Sequence, residues 1–274
     1  MALVPFPSTS PGRQDDDESG IVLTDVDPLD DSSSRMSFLE HLDELRKRLI
    51  ASVYALVGGC VIAFFFVDRI QRFIFIPLYA ALGGETFIFT KGFEPFMLMM
   101  KTGALAGLLI ALPFIIWQLW LFISPGLYTN EKRFAIPFVV FASVFFLMGA
   151  AFSHYVAFPW TWAFFKSWET EYMRFLPNIG EAFAIYVKML LAFGLIFQMP
   201  TIVFFLARMG MVTAGFMVKN TKYAVLIIFI IAAVISPGTD VVSQALMAGP
   251  MLGLYALSIL IAWIFAKKKT VEIA

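Results

Sequence analysis

Charge is scarce in this chain of 274 residues, where Asp, Glu, Lys and Arg together make up 15%. An ordinary globular domain carries about 25%, so a cytosolic soluble fold is excluded. No basic excess is present either. The formal net charge is zero, which removes the cationic face that nucleic-acid binding needs. A single cysteine, Cys60, cannot close an intrachain bridge, and this excludes a disulfide-stapled secreted domain. There is no GxGxxG, P-loop, HExxH or CxxC motif. What the chain has is apolar mass. A/V/I/L/M/F/W/Y/C account for 60%, with 31 phenylalanines and a mean hydropathy of +0.82. Apolar runs recur at lengths of about twenty residues, enough to span a ~30 Å hydrocarbon core.

The zero net charge conceals an asymmetry. Residues 1–35 hold eight acidic residues against Arg13 and Arg35, a net of −6, so the rest of the chain carries +6. This acidic stretch, rich in Ser, Pro and Gly, has little to bury and is expected to be a disordered tail. It lacks the basic n-region and apolar core of a signal peptide. Six apolar segments follow, near 49–67, 95–123, 134–158, 182–207, 223–235 and 245–266. Continuous rather than alternating apolarity excludes barrel strands, so each segment is expected to be a helix. Arg46, Lys47, Arg48, Lys132, Arg133, Arg208, Lys219, Lys222 and Lys267 to Lys269 would share one side. Arg69, Arg72, Lys91, Lys166 and Arg174 would share the other. Eleven against five places both termini in the cytoplasm.

The segments are unequal. The second has 29 residues and the fifth only 13, about 20 Å at 1.5 Å per residue. Pro113, Pro200 and Pro250 fall within the second, fourth and sixth and should bend them. The fold expected is an all-α integral membrane protein of six transmembrane helices over 36–266, N-in and C-in. Bent helices would form a curved, concave bundle, followed by a basic cytoplasmic end at 267–274. The loop 68–94 contains an amphipathic stretch ending at Pro77. The loop 159–181 gathers Trp160, Trp162, Trp168 and Tyr172 as an aromatic cluster at headgroup level, and both loops are expected to lie as short helices over the outer face.

Chemistry-bearing residues are few. His41 and His154 fall in different compartments and cannot share a metal, and no catalytic constellation or cofactor site emerges. Ser37 and Glu40 form a capping box that starts a helix before the first span. Phe38, Leu42, Leu45 and Leu49 then make an apolar stripe. Asp43–Lys47 and Glu44–Arg48 are i,i+4 pairs with the acid first. Between the second and third spans, Asn130 can cap the next helix with Glu131 in its first turn. Glu44 and Glu131 are thus cytoplasmic carboxylates near membrane entry points. Each could stay a paired or capping charge, or could receive a guanidinium by bidentate hydrogen bonding. Lys101 and Lys188 lie near span ends and read as side chains that snorkel to the interface, in preference to a proton relay.

Two blocks together are specific. His41-Leu42-Asp43-Glu44-Leu45-Arg46-Lys47-Arg48-Leu49 and Trp120-Leu121-Phe122-Ile123-Ser124-Pro125-Gly126-Leu127-Tyr128, with Glu131-Lys132-Arg133, resemble the TatC family, the multi-spanning subunit of the twin-arginine protein translocase. Leu191-Ala192-Phe193-Gly194 before Met199-Pro200, and Ile235-Ser236-Pro237 leading to Asp240 and Gln244, extend the resemblance over about 36–266.

The resemblance implies a receptor for Arg-Arg signal peptides that exports folded cargo across a bacterial-type cytoplasmic membrane. It also implies single-span TatA-like and TatB-like partner subunits, is compatible with self-association, and involves no nucleic acid and no enzyme activity. By the same resemblance, Glu44 and Glu131 recognise the paired arginines, flanked by Phe122, Arg46, Lys132 and Arg133. Pro77, Asp240 and Gln244 match polar or structural positions of the outer face, although Asp240 also reads as an ordinary N-cap. Gln198 stands where family members place a glutamate associated with partner-subunit contact, and His154 where a tyrosine is common. A secondary transporter of a small solute is the competing reading, but repeated halves and midplane charges are not evident.

Overall fold

The computed structural model describes residues 38–84, 86–123, 135–236, 238 and 240–265. The acidic segment 1–35, Ser37 of the expected capping box, residues 124–134 and residues 266–274 lie outside the described residues. The packing given below is that of Asp43 onward. Ten α-helices are described. They are α1 (Phe38–Phe65), α2 (Val67–Ala81), α3 (Glu94–Ile123), α4 (Ala135–Phe152), α5 (Phe158–Lys166), α6 (Ile179–Ile196), α7 (Met199–Arg208), α8 (Ala214–Lys219), α9 (Thr221–Ile235) and α10 (Val241–Phe265). Isolated bridge pairs, Ile88 with Asn178 and Thr170 with Met173, are the only β-type pairing among the described residues.

Five stretches are long and apolar enough to cross a bilayer: Glu40–Phe65, Glu94–Phe122, Ile136–Lys166, Ile179–Arg208 and Val241–Phe265. The chain is a multi-pass membrane protein. The sixth apolar segment is helix α9, whose 15 residues reach only about 22 Å at 1.5 Å per residue.

Helices in lipid gain little from hiding apolar side chains, because the lipid is equally apolar. Association therefore depends on close approach and local polar contacts. Glycines supply that approach at two crossings. Gly103 and Gly107 lie one turn apart on α3, facing α1. A Cβ on Gly107 would sit 2.6 Å from the Cys60 backbone, and one on Gly59 would sit 2.4 Å from the Gly107 carbonyl oxygen. At the α4–α6 crossing, a Cβ on Gly149 would sit 2.4 Å from the Phe193 carbonyl oxygen, and Gly194 lies against the Phe146 ring. Around this second crossing the core closes with Phe158, Phe183, Met189 and Phe193, each at most 1% exposed. It continues into α10 through Met247 and Met251.

Three expectations are corrected. The third span does not stop near 158. A π-helical turn, Ser153–Ala157, carries α4 directly into α5 and on to Lys166. Such a turn rotates the face that follows it. Trp162 is consequently a core residue, 3% exposed and packed on Phe158 and Phe175, whereas Trp160, Trp168 and Tyr172 are exposed. The aromatic cluster is therefore split between core and surface.

The fourth span is broken at Phe197 and Gln198, not merely bent. Pro200 falls in the first turn of α7, where a missing N–H is tolerated. Pro113 and Pro250 do lie inside α3 and α10. Finally, α2 continues through Pro77 to Ala81. The lost hydrogen bond is offset by burial of Ile74, Leu78 and Leu82, each at most 3% exposed.

Candidate functional site

Glu44 and Arg48 lie one turn apart on α1 and face the end of α3. Arg48 Nη2 donates to Glu44 Oε1 at 3.1 Å, and Arg48 Nη1 donates to Gln118 Oε1 at 3.4 Å. Exposure of the two side chains is 34% for Arg48 and 16% for Glu44, so this is no ordinary surface pair. Glu44 Oε2 and Arg48 Nε are buried and have no hydrogen-bond partner among the described residues. A buried carboxylate oxygen left in that state is an unmet acceptor. Gln118 is buried in α3, and half-buried Phe122 follows one turn later on the same side. Between them Trp120 turns the other way, packing on Phe138 and Phe205 at 4.5 and 5.1 Å. That contact ties the end of α3 to α4 and α7 and holds the Gln118–Phe122 face toward α1.

The apolar stripe read on α1 is not its buried face. Leu45 and Leu49 are exposed, and the Asp43–Lys47 pair, at 2.7 Å, is a surface contact. Arg46 is exposed and lies two residues from Glu44, which on a helix is the opposite side. The structure thus links Glu44 through Arg48 to Gln118, on whose side of α3 Phe122 follows one turn later by helical spacing, and leaves Arg46 off that side of α1. Glu131, Lys132 and Arg133 lie outside the described residues. Sequence reasoning missed Gln118 as a partner. The available signal was an amide inside an apolar run, four residues before Phe122.

At the other end of the bundle, the polar residues have structural work. Asp240 caps α10, its Oδ2 accepting from the Ser243 amide at 2.8 Å and its Oδ1 from the Ser243 hydroxyl at 2.7 Å. These two donors, the hydroxyl first, hold its carboxyl below the usual carboxylate range. A depressed carboxyl adds stability that is present above its unfolded-state pKa and is lost as pH falls through the lower folded value. Asp240→Asn keeps an acceptor and is expected to reduce that acid-side loss, whereas Asp240→Ala is expected to lower the Tm already at neutral pH. Thermal melts from neutral pH down through the carboxylate range check both.

Gln244 Nε2 donates to the Phe229 carbonyl at 2.8 Å and so fastens short α9 to α10. Gln198 Nε2 donates to the Ala142 carbonyl at 2.8 Å, bridging the break in the fourth span to α4. Its amide nitrogen is thus already engaged within the chain. His154 is buried, 3.1 Å from the Tyr186 hydroxyl and stacked on Phe73 at 4.3 Å. Among the described residues no group of His, Cys, Asp and Glu could hold a metal ion.

A family model described as Sec-independent protein translocase protein (TatC) matches residues 40–250. The Sec-independent protein translocase protein TatC of Desulforapulum autotrophicum is 43% identical over 233 residues, covering 85% of this chain and 86% of the relative. That of Helicobacter pylori strain J99 is 42% identical over 222 residues, covering 81% and 87%. A crystal structure of the twin arginine translocase receptor TatC superposes with a TM-score of 0.71 at 33% identity, covering 81% of this chain and 98% of that one. A second, in DDM, gives 0.72. With the family model covering most of the chain and relatives this similar along both lengths, the chain belongs to the TatC family.

Proposed function

We propose that this chain is the receptor subunit of a twin-arginine translocase and that Glu44 receives one arginine of an Arg-Arg signal peptide. The observation that carries the reading is the Glu44 carboxylate itself. It is mostly buried, oriented through Oε1 by Arg48, which Gln118 holds in turn, and its Oε2 is unmet among the described residues. A guanidinium offers donors in a rigid fork suited to such an oxygen pair. Half-buried Phe122 on the same face supplies apolar contact for the residues beyond the arginines. Glu131, with Lys132 and Arg133, would complete the site from the α3–α4 connection.

In this reading α9 makes the sixth span, assisted by a locally thinned bilayer. Both termini are cytoplasmic on the eleven-to-five distribution of basic residues, and the membrane is the bacterial cytoplasmic one. Single-span TatA-like and TatB-like subunits complete the machine, which moves folded cargo without chemistry on it. Gln198 would meet a partner helix through its carbonyl oxygen, since its nitrogen serves Ala142.

The test is binding of signal peptides to the purified full chain. An Arg-Arg peptide is expected to bind about tenfold more tightly than its Lys-Lys counterpart, the size of one charge-assisted hydrogen bond. Binding should also weaken as salt rises. Equal affinity for the two peptides would mean that recognition is apolar and that Glu44 is a structural pair.

A further inference from the structure

Far from Glu44, at the end where α3 and α6 begin, two cavities share a wall. One, of about 360 Å³, carries charge: Lys91, Glu94, Lys101 and Glu181 line it beside Phe93 and Met97, with Asn178 between α3 and α6. The other, of about 520 Å³, is an apolar groove between α1, α3 and α6, lined by Leu56, Cys60, Leu108 and Leu191 among others. Lys101, Phe183 and Ala184 line both, so the two cavities adjoin across one wall on which Lys101 and Ala184 are exposed. The rim is built, not incidental. Glu94 Oε2 accepts from the Thr90 amide at 2.9 Å, Asn178 Nδ2 donates to Glu94 at 3.2 Å, and Ile179 N donates to the Ile88 carbonyl at 2.9 Å.

We infer that this compound cavity binds one phospholipid bearing both a phosphate and a primary ammonium, a phosphatidylethanolamine, with one acyl chain in the groove. The charges argue for this headgroup. Two lysines and two carboxylates give the pocket no net charge, so a purely anionic headgroup gains at Lys91 and Lys101 and loses at Glu94 and Glu181. A zwitterion carrying N–H donors pairs with both signs. Depth agrees as well. From Glu94 to Lys101 is about 10 Å along α3, and from Lys101 to Leu108 about 10 Å more. The pair therefore reaches from headgroup level into one leaflet of a ~30 Å core. A lysine at that depth snorkels outward, toward phosphate.

Native mass spectrometry of the full chain, released from micelles containing equal phosphatidylethanolamine, phosphatidylcholine and phosphatidylglycerol, tests this. One phosphatidylethanolamine is expected to be retained with about a tenfold preference over either competitor. Lys101→Met, at an exposed position, is expected to remove most of that preference. Glu181→Gln should narrow the gap to phosphatidylglycerol in particular. Ala184→Trp, also exposed, should expel the lipid by filling the shared wall. A benzophenone attached to Cys60, the only cysteine, should crosslink to lipid in native membranes. No headgroup preference, a preference for phosphatidylglycerol, a preference unchanged in Lys101→Met, or a Cys60 crosslink to another protein in place of lipid would each overturn the assignment.

Discussion

Glu44→Ala is expected to lower the affinity for an Arg-Arg signal peptide by between about tenfold and a hundredfold, the equivalent of roughly 1.5–3 kcal/mol. The upper end is favoured by what the substitution leaves behind. Arg48 is held at Gln118 by a 3.4 Å hydrogen bond. Without the carboxylate, this half-buried guanidinium would face the incoming arginine with no neutralising charge between them. Like charges in so little water repel more strongly than on an open surface. Glu131→Ala is expected to fall in the same range, while Glu40→Ala should leave binding intact. Titration of a labelled peptide into each full-length variant in detergent measures all three. Unchanged binding in both Glu44→Ala and Glu131→Ala would remove carboxylate recognition altogether.

Gly107→Val is expected to prevent α1 from docking on α3 and to abolish recovery of a stable, monodisperse protein. The added carbons would meet the Cys60 backbone, beginning with a Cβ at 2.6 Å. A helix backbone cannot rotate aside as a side chain can. Overpacking against movable groups already costs about 1–3 kcal/mol, and a rigid neighbour pushes the cost higher. Because α1 carries Glu44 and α3 carries Gln118, separation of the two helices should also dissolve the proposed signal-peptide face. Gly58→Ala is the paired control. No atom lies within 4 Å of a Cβ there, and removing a helical glycine is expected to be neutral or to stabilise by about 0.4–1 kcal/mol. Thermal unfolding followed by size-exclusion chromatography separates the two cases. Comparable Tm values for Gly107→Val and the parent would show that the crossing yields.

The reach of the sequence was uneven, for identifiable reasons. Apolar run length placed α3, α9 and α10 within a few residues, because a helix that must satisfy its own backbone in lipid ends close to where apolarity ends. Short α9 was legible for the same reason. The extent of the third span was not. A π-helical turn at Ser153–Ala157 leaves no compositional mark, so the sequence reads α5 as a separate short outer helix and Trp162 as an interfacial anchor. Pro200 was seen, but not the break ahead of it. Whether a proline bends a helix or begins one depends on the two residues before it, and Phe197 and Gln198 are ordinary helix residues by composition.

The site divides along the same line. Chain chemistry by itself determined that the protein lives in a membrane, that its carboxylates near α1 and the α3–α4 connection are its polar candidates, and which family its motifs resemble. All of these follow from composition and local spacing. Only the tertiary structure decided which side of α1 faces protein. Helical periodicity reports that Leu45 and Leu49 share a stripe and that Glu44 and Arg48 share another. It does not report which stripe meets protein when lipid is as apolar as leucine. That choice was made by Gly59, Gly103 and Gly107, whose missing side chains let α1 approach α3 at one rotation, with Glu44 and Arg48 turned toward Gln118. In water the hydrophobic effect would have turned the apolar stripe inward, and in a bilayer close packing and hydrogen bonding set the rotation instead.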